Sequence, residues 1–330
     1  MSQITILQAR EFLDRIFSED KVAIIFHNDP DGYASAVSFS EYLKDKKIEI
    51  SFFETDTING IKPYFENLKN FDKLIFTDLA PNVIAKELNN FDKKILYVDH
   101  HKKDVEISEH IFEFRTKSCE SASMDTFLIT GKKKFLTFLG MISDAGWRYR
   151  ENDDYINENL KEFKINLDEA KKLGDECGFL LKAYKSNVEK TIEILEKIDK
   201  PKDFLKLQKI LEPIKNELNF FINDFEKNKE KLGKIYFYYF EPKLCGKGVI
   251  INQISYSNPD EVFIFTTLKE NDIISVSARN QSGEIDCIEL LGKTMKGFKN
   301  SNSGGHVKAA GGYIQKKDLE EFKEKLKQIN

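Results

Sequence analysis

The sequence predicts two α/β domains joined by a helical connector, and three observations carry that prediction. A chain of 330 residues suits about two domains, since single cores stop growing near about 250–300 residues. Across the first half, short apolar runs alternate with amphipathic segments, a pattern that implies parallel strands joined by crossover helices. A Lys- and Glu-rich stretch at helical spacing then separates these runs from a second group of strands near the C-terminus.

Val22–Phe26, Ile48–Phe53, Lys73–Thr77 and Lys94–Val98 each read as a short buried strand. Ala34–Lys44 and Asn82–Asn90 read as helices between them. Residues 1–152 are therefore expected to form an open, mainly parallel sheet with flanking helices. Residues 153–232 read as the connector, with helices in Leu167–Leu181, Val188–Ile198 and Phe204–Phe225, punctuated by Pro201 and Pro213. Residues 233–330 read as a smaller α/β domain, with strands at Lys234–Phe240, Val262–Thr266 and Ile273–Ser277. A glycine-rich stretch from Ser303 to Gly312 follows, then a charged helix, Asp318–Gln328.

Apolar residues make up 41% of the chain and charged residues 32%, enough hydrophobic material to exclude disorder of the whole chain. A net charge of −4 argues against wrapping long nucleic acid by bulk charge. No stretch approaches the ~18 apolar residues of a membrane helix, and the N-terminus lacks a basic start followed by an apolar run. The four cysteines, Cys119, Cys177, Cys245 and Cys287, lie far apart, as in a cytoplasmic protein with reduced thiols.

The chain has five histidines, and three of them stand directly beyond a predicted strand, beside acids. Strand Val22–Phe26 runs into His27, Asn28, Asp29, Pro30, Asp31 and Gly32. Lys73–Thr77 ends at Asp78, and Lys94–Val98 ends at Asp99, His100 and His101. The apolar segment Phe135–Ile142, read as a fourth strand-end element, leads into Ser143, Asp144, Ala145 and Gly146. In a parallel sheet these positions share the carboxyl edge, where open α/β sheets bind ligands. A lone Asp after a strand usually caps a helix or shapes a turn. Four such corners together are a different matter, because so many acids on one rim repel one another unless cations intervene. Oxygen ligands with a minority of imidazole suit two divalent cations, Mn²⁺ ahead of Mg²⁺, as a clamp for in-line attack on phosphate. His110 lacks this context and reads as a surface residue; Trp147 reads as core, and Ser118 and Ser121 as caps of a helix through Met124–Leu128.

At these residues the sequence resembles the DHH phosphoesterase superfamily, which includes RecJ-like exonucleases, nanoRNases and cyclic dinucleotide phosphodiesterases. The four N-terminal motifs find matches in order at His27 to Gly32, Asp78, Asp99 to His101, and Asp144. The G-G-H of the family's C-terminal DHH-associated domain matches Gly304, Gly305 and His306, and Arg279 matches an Arg on a preceding strand. The resemblance implies that His27 and Asp29 bind one metal and that Asp31, His100 and Asp144 bind the other, with Asp78 bridging. It implies that Asp99 orients the site and that His101 reaches the scissile phosphate or the leaving oxygen. Arg279, Gly304, Gly305 and His306 would hold the substrate, with the active site in the cleft between the domains. Tyr33 stands where the nanoRNase pattern has its last Asp, and the spacing of His27, Asp29 and Asp31 is closer to the RecJ-type D-x-D-x-D-G.

The activity so implied is two-metal hydrolysis of short RNA or DNA oligonucleotides, linear dinucleotides or 3′-phosphoadenosine 5′-phosphate to 5′-mononucleotides. The in-class rivals are a RecJ-like single-strand DNA exonuclease and a cyclic (di)nucleotide phosphodiesterase. A nucleotide-binding regulator without turnover is the rival from another class. An apolar periodicity in the connector also allows a homodimer.

Overall fold

The structure, a computed structural model, describes residues 3–56, 60–115, 121–184 and 187–328. Ser118 and Cys119 lie outside the described residues. The chain divides into two compact units, Met1–Lys209 and Ile210–Asn330.

The first unit runs α1 (Ile6–Asp14), β1 (Lys21–His27), α2 (Pro30–Leu43), β2 (Glu49–Thr55), α3 (Phe65–Leu68), β3 (Lys73–Thr77), α4 (Pro81–Leu88), β4 (Ile95–Val98) and β5 (Ile111–Phe114). Five helices follow: α5 (Ala122–Thr130), α6 (Lys134–Ser143), α7 (Asp153–Phe163), α8 (Leu167–Ala183) and α9 (Val188–Leu195). The five strands form one all-parallel sheet in the order β2-β1-β3-β4-β5. Its strands are apolar runs rather than alternations because helices cover both faces. Ala23, Ile25, Leu74, Phe76, Ile95 and Tyr97 pack with Leu68, Ile84 and Leu88 of α3 and α4 on one side. Val22, Ile24 and Phe26 are fully enclosed on the other.

The strand order reverses at β1, which pairs with β2 on one side and β3 on the other. The chain ends leaving β1 and β3 diverge there, opening the crevice that α/β sheets use for ligands. Register aligns the rim as well. Phe26 pairs with Thr77 and Thr77 with Val98, so the next residues, His27, Asp78 and Asp99, stand in one row.

Four sequence expectations are corrected here. Phe135–Ile142 is not a strand but the body of α6, buried on every side; a continuous apolar run fits a fully enclosed helix as well as a buried strand. Strand β5 was not expected, its four residues Ile-Phe-Glu-Phe being too short to stand out. His110, read as a surface residue, is half-buried at the entry to β5, with its Nε2 enclosed. Trp147 is half-buried rather than core, with Lys171 Nζ 3.8 Å from its ring centroid.

The second unit contains α10 (Gln208–Asn228, which starts at the boundary), β6 (Glu230–Leu232), β7 (Ile235–Tyr239), α11 (Lys247–Ser257), β8 (Val262–Lys269) and β9 (Ile273–Arg279). It continues with α12 (Cys287–Met295), β10 (Asn302–His306), β11 (Ala309–Gln315) and α13 (Leu319–Lys327). Six strands form a sheet in the order β10-β11-β9-β8-β7-β6. Pro213 does not break the connector; it sits inside α10. That helix joins the second unit through Phe225, whose ring packs 5.2–5.9 Å from those of Tyr238, Phe263 and Phe265. The glycine-rich stretch is a hairpin, β10 against β11, in place of an ordinary turn. Cys177, Cys245 and Cys287 are free and buried, and burial pushes the Cys287 thiol up to about 11. Among the described residues no helix is long and apolar enough to cross a membrane.

Glu217 of α10 accepts three consecutive backbone N–H groups, from Lys243 at 2.9 Å, Leu244 at 2.7 Å and Cys245 at 2.6 Å. Burial works against its charge, yet these donors hold its carboxyl below the usual glutamate range. A carboxylate lowered in this way adds stability above its unfolded pKa, and that stability is lost as pH falls through the folded value. Glu217→Gln is expected to lose about 1–2 kcal/mol at neutral pH. The difference should shrink below about pH 4, which urea unfolding at several pH values would read.

Candidate metal centre

Strand β1 delivers His27 to the rim and α2 begins three residues later. Asp29 caps that helix, its Oδ1 accepting the Gly32 N–H at 3.0 Å, and Pro30 occupies the first turn, where its missing N–H costs nothing. The other oxygen of Asp29 lies 2.7 Å from His27 Nδ1. Asp31, in the first turn of α2, is 1% exposed. Asp78 leaves β3 with a φ of +58°, a left-handed conformation that Asp tolerates better than most residues, and its N–H donates to Val98 O at 3.0 Å. That backbone turn holds the side chain in the crevice.

Asp78 occupies the middle of the site. Its Oδ1 is 3.2 Å from His100 Nε2 and 4.0 Å from His101 Nδ1, while its Oδ2 is 3.7 Å from His27 Nδ1. His100 Nε2 also lies 3.9 Å from Asp31 Oδ2 and 3.5 Å from Asp144 Oδ2. Asp144 reaches this place from the C-cap of α6, its N–H bonded to Gly140 O, so a helix end supplies the fourth corner. The residues fall into three overlapping groups able to hold a cation: His27, Asp29 and Asp78; Asp31, His100 and Asp144; and Asp78, His100 and His101.

Asp99 belongs to none of these groups. It is fully buried, and its oxygens accept His101 Nδ1 at 2.8 Å, His101 N–H at 3.0 Å and Arg115 Nη2 at 3.1 Å. An ionised carboxylate accepts only, so Nδ1 of His101 carries the proton and Nε2 faces away from Asp99. Arg115 also donates to His101 O and pairs with Glu113 at 3.2 Å. The sequence reading missed Arg115, which stands just beyond β5; recognising that strand would have placed it on the rim. It also treated Ser121 as a cap alone and did not single out Ser123, although both hydroxyls donate to Asp31.

Crowding shows in the charges. Burial works against the charge on His27, but Asp29 and Asp78 raise its pKa to about 11. Burial likewise opposes His100 and His101, yet Asp144 and Asp31 raise the first and Asp99 the second. Burial drives the Asp78 carboxyl well above its usual range, and Asp29 and Asp31 push it further. Asp78 Oδ2, enclosed, has no hydrogen-bond partner. An enclosed carboxylate oxygen with no donor, among acids that repel it, fits a bound divalent cation.

Arg279, Gly304, Gly305 and His306 lie in the second unit. Ala309 of β11 pairs with Arg279 of β9 on one side and His306 of β10 on the other, so the Arg and the His share one row of the sheet. Arg279 Nε donates to Asn252 at 2.8 Å. Gly305 has φ +139°, and a Cβ there would meet Ala309 O at 2.5 Å; Gly304 has open space around it. Gly305→Ala is therefore expected to cost about 1–3 kcal/mol, with Gly304→Ala close to neutral, as urea unfolding would measure.

The family model "DHH family, N-terminal domain" matches residues 21–138, and the DHHA1 domain matches residues 247–330. The two spans take in more than half of the chain and all of the rim just described except Asp144. The chain belongs to the DHH phosphoesterase superfamily, whose members are phosphoester hydrolases. Among solved structures it is similar to the exonuclease RecJ bound to manganese, with 13% identity, a TM-score of 0.74, and coverage of 99% of this chain and 94% of that one. It is also similar to RecJ from Thermus thermophilus in complex with Mn²⁺ (13% identity, TM-score 0.72), spanning 99% of this chain and 55% of that one. The pGpG-specific phosphodiesterase PggH from Vibrio cholerae is 14% identical with a TM-score of 0.53, over 94% of this chain and 98% of that one. No curated protein sequence matches the chain.

Proposed function

We propose that the protein is a two-metal phosphodiesterase that hydrolyses short oligonucleotides or small nucleotides to 5′-mononucleotides. The observation that carries this reading is Asp78, an enclosed carboxylate whose Oδ2 has no hydrogen-bond partner and which is shared by an Asp–His pair on one side and the two histidines on the other. His27 and Asp29 would hold one cation, Asp31, His100 and Asp144 a second, with Asp78 common to both. Cations held there would activate water and neutralise charge developing at phosphorus, with Mn²⁺ ahead of Mg²⁺ for this mix of oxygen and imidazole donors. His101, its Nδ1 tied to Asp99, keeps Nε2 for a phosphate or leaving oxygen. Arg279 and His306, with the N–H groups near Gly304 and Gly305, would hold the substrate's terminal phosphate or neighbouring nucleotide. In domain terms, residues 1–152 would carry catalysis, 153–232 the connector and 233–330 substrate positioning.

The net charge of −4 favours small substrates over long single strands, and one similar protein is named as specific for pGpG. A RecJ-like exonuclease on single-stranded DNA is the in-class rival. The purified protein with Mn²⁺ should be given a labelled 5-mer RNA, pApA, a cyclic dinucleotide, 3′-phosphoadenosine 5′-phosphate and a long DNA strand. Mononucleotide release from the 5-mer or pApA, abolished by His100→Ala with Asp99→Ala, supports the proposal. Turnover of the long strand alone, or of the cyclic dinucleotide alone, transfers it to a rival. Binding without product would make the protein a nucleotide-binding regulator. Sedimentation would test the homodimer.

A further inference from the structure

We propose that Ser121 and Ser123, at the amino end of α5, are positioning residues that lock Asp31 so that only its Oδ2 is left for a cation. The inference rests on the two-metal reading and extends it to residues that would bind no metal themselves.

The donor count decides the matter. Asp31 Oδ1 accepts the Ser121 hydroxyl at 2.5 Å, the Ser123 backbone N–H at 3.1 Å and the Ser123 hydroxyl. Asp31 Oδ2 accepts the Ala122 N–H at 2.8 Å. Each oxygen offers about two lone-pair directions, so three donors saturate Oδ1, whereas one donor leaves Oδ2 a single open direction. On that oxygen lies His100 Nε2, 3.9 Å away, within the group completed by Asp144.

The hydroxyl proton of Ser123 has three acceptors in reach, Asp31 Oδ1, Thr137 O at 2.9 Å and Ser121 Oγ at 2.9 Å. The anionic oxygen is the closest and strongest acceptor, so the proton goes to Asp31. Thr137 belongs to α6, the helix whose C-cap is Asp144. The same helix makes room for the serine: a Cβ on Gly140 would stand 2.6 Å from Ser123 Oγ. Three helices therefore converge on one carboxylate. Helix α2 carries it, α5 saturates one of its oxygens, and α6 leaves space for the donor while delivering the other acid of the group.

Groups that orient a ligand typically change metal affinity by about 10–100-fold when removed. The test is a Mn²⁺ titration of the full-length protein followed by the EPR signal of free Mn²⁺, which needs no turnover. Ser121→Ala with Ser123→Ala is expected to weaken one Mn²⁺ equivalent by about 10–100-fold and leave the other at native affinity. Ser121→Thr, which keeps the hydroxyl and the helix cap, should retain both. In an Asp31→Asn background the serine changes should add no further loss, since they act through Asp31. A native isotherm in the double variant, equal weakening of both equivalents, or additive loss on Asp31→Asn would each overturn the inference while leaving the metal centre in place. Absence of Mn²⁺ binding by the unmodified protein would overturn the metal centre itself and this inference with it. Thermal melts without metal verify folding, and Ser121→Ala alone is read by the same criteria if the double variant does not fold.

Discussion

Asp78→Asn is expected to lower phosphodiester turnover by about 10²- to 10³-fold or more while making the metal-free protein more stable. Both directions come from the same atom. Asp78 is 2% exposed, its Oδ2 has no donor, and burial together with Asp29 and Asp31 disfavours its charge. An amide of the same shape removes that charge, and Asn accepts the left-handed φ of +58° as readily as Asp does. Relief of about 1 kcal/mol would raise the melting temperature by roughly 2–4 °C in a unit of this size. Cations have the opposite preference. At a concentration near 100 times its dissociation constant, a bound ion stabilises the native state by about 2.7 kcal/mol. Mn²⁺ should therefore raise the melting temperature of the unmodified protein clearly and that of Asp78→Asn much less. A variant with undiminished Mn²⁺-dependent turnover would remove Asp78 from the centre of the site.

Gly32→Ala should be nearly as damaging, although it adds one methyl group to a residue with no chemistry. A Cβ at Gly32 would stand 2.2 Å from His27 O, 2.8 Å from His27 N and 2.9 Å from His27 C, all backbone atoms. No rotamer change can relieve such a contact; either the end of β1 or the first turn of α2 must move. Those two pieces carry His27, Asp29 and Asp31, and the cap bond from Gly32 N–H to Asp29 would shift with them. Overpacking of this kind costs about 1–3 kcal/mol, and misplacement by about 1 Å can cost about 10²-fold in rate. Gly292→Ala in α12 is the matched control, because a Cβ there meets nothing within 4 Å. Urea unfolding and turnover of the two variants, side by side, separate the effect of this contact from a general cost of replacing glycine. Equal behaviour would show that the β1–α2 turn tolerates a side chain.

Much of this was legible before any coordinates. Three of the four apolar runs of the first unit, β1, β3 and β4, are the buried strands that continuous hydrophobicity demands under helices on both faces, whereas β2, read as buried, is a half-buried strand at the sheet edge. The crowding of His and Asp just beyond those runs pointed to the carboxyl edge, and the structure gathers His27, Asp29, Asp31, Asp78, His100, His101 and Asp144 there. Other features resisted reading for physical reasons. The apolar stretch that precedes Asp144 fits a strand or a helix equally well, and only its enclosure among α2, α5 and α8 makes it α6. The hairpin of β10 and β11 is hidden by its glycines, which have no side chain to alternate.

The sequence by itself determined the first four strands, the crowding of acids and histidines just beyond three of them and the family to which the chain belongs, because each is written in local pattern and spacing. Tertiary structure decided how those groups face one another. Arg115 touches Asp99 only because β5 lies beside β4, and Ser121 and Ser123 reach Asp31 only because α5 packs against α2. Such contacts join residues 16 to 92 positions apart. A hydrogen bond acts over about 3 Å, so only the packed fold can bring the partners of such a bond together.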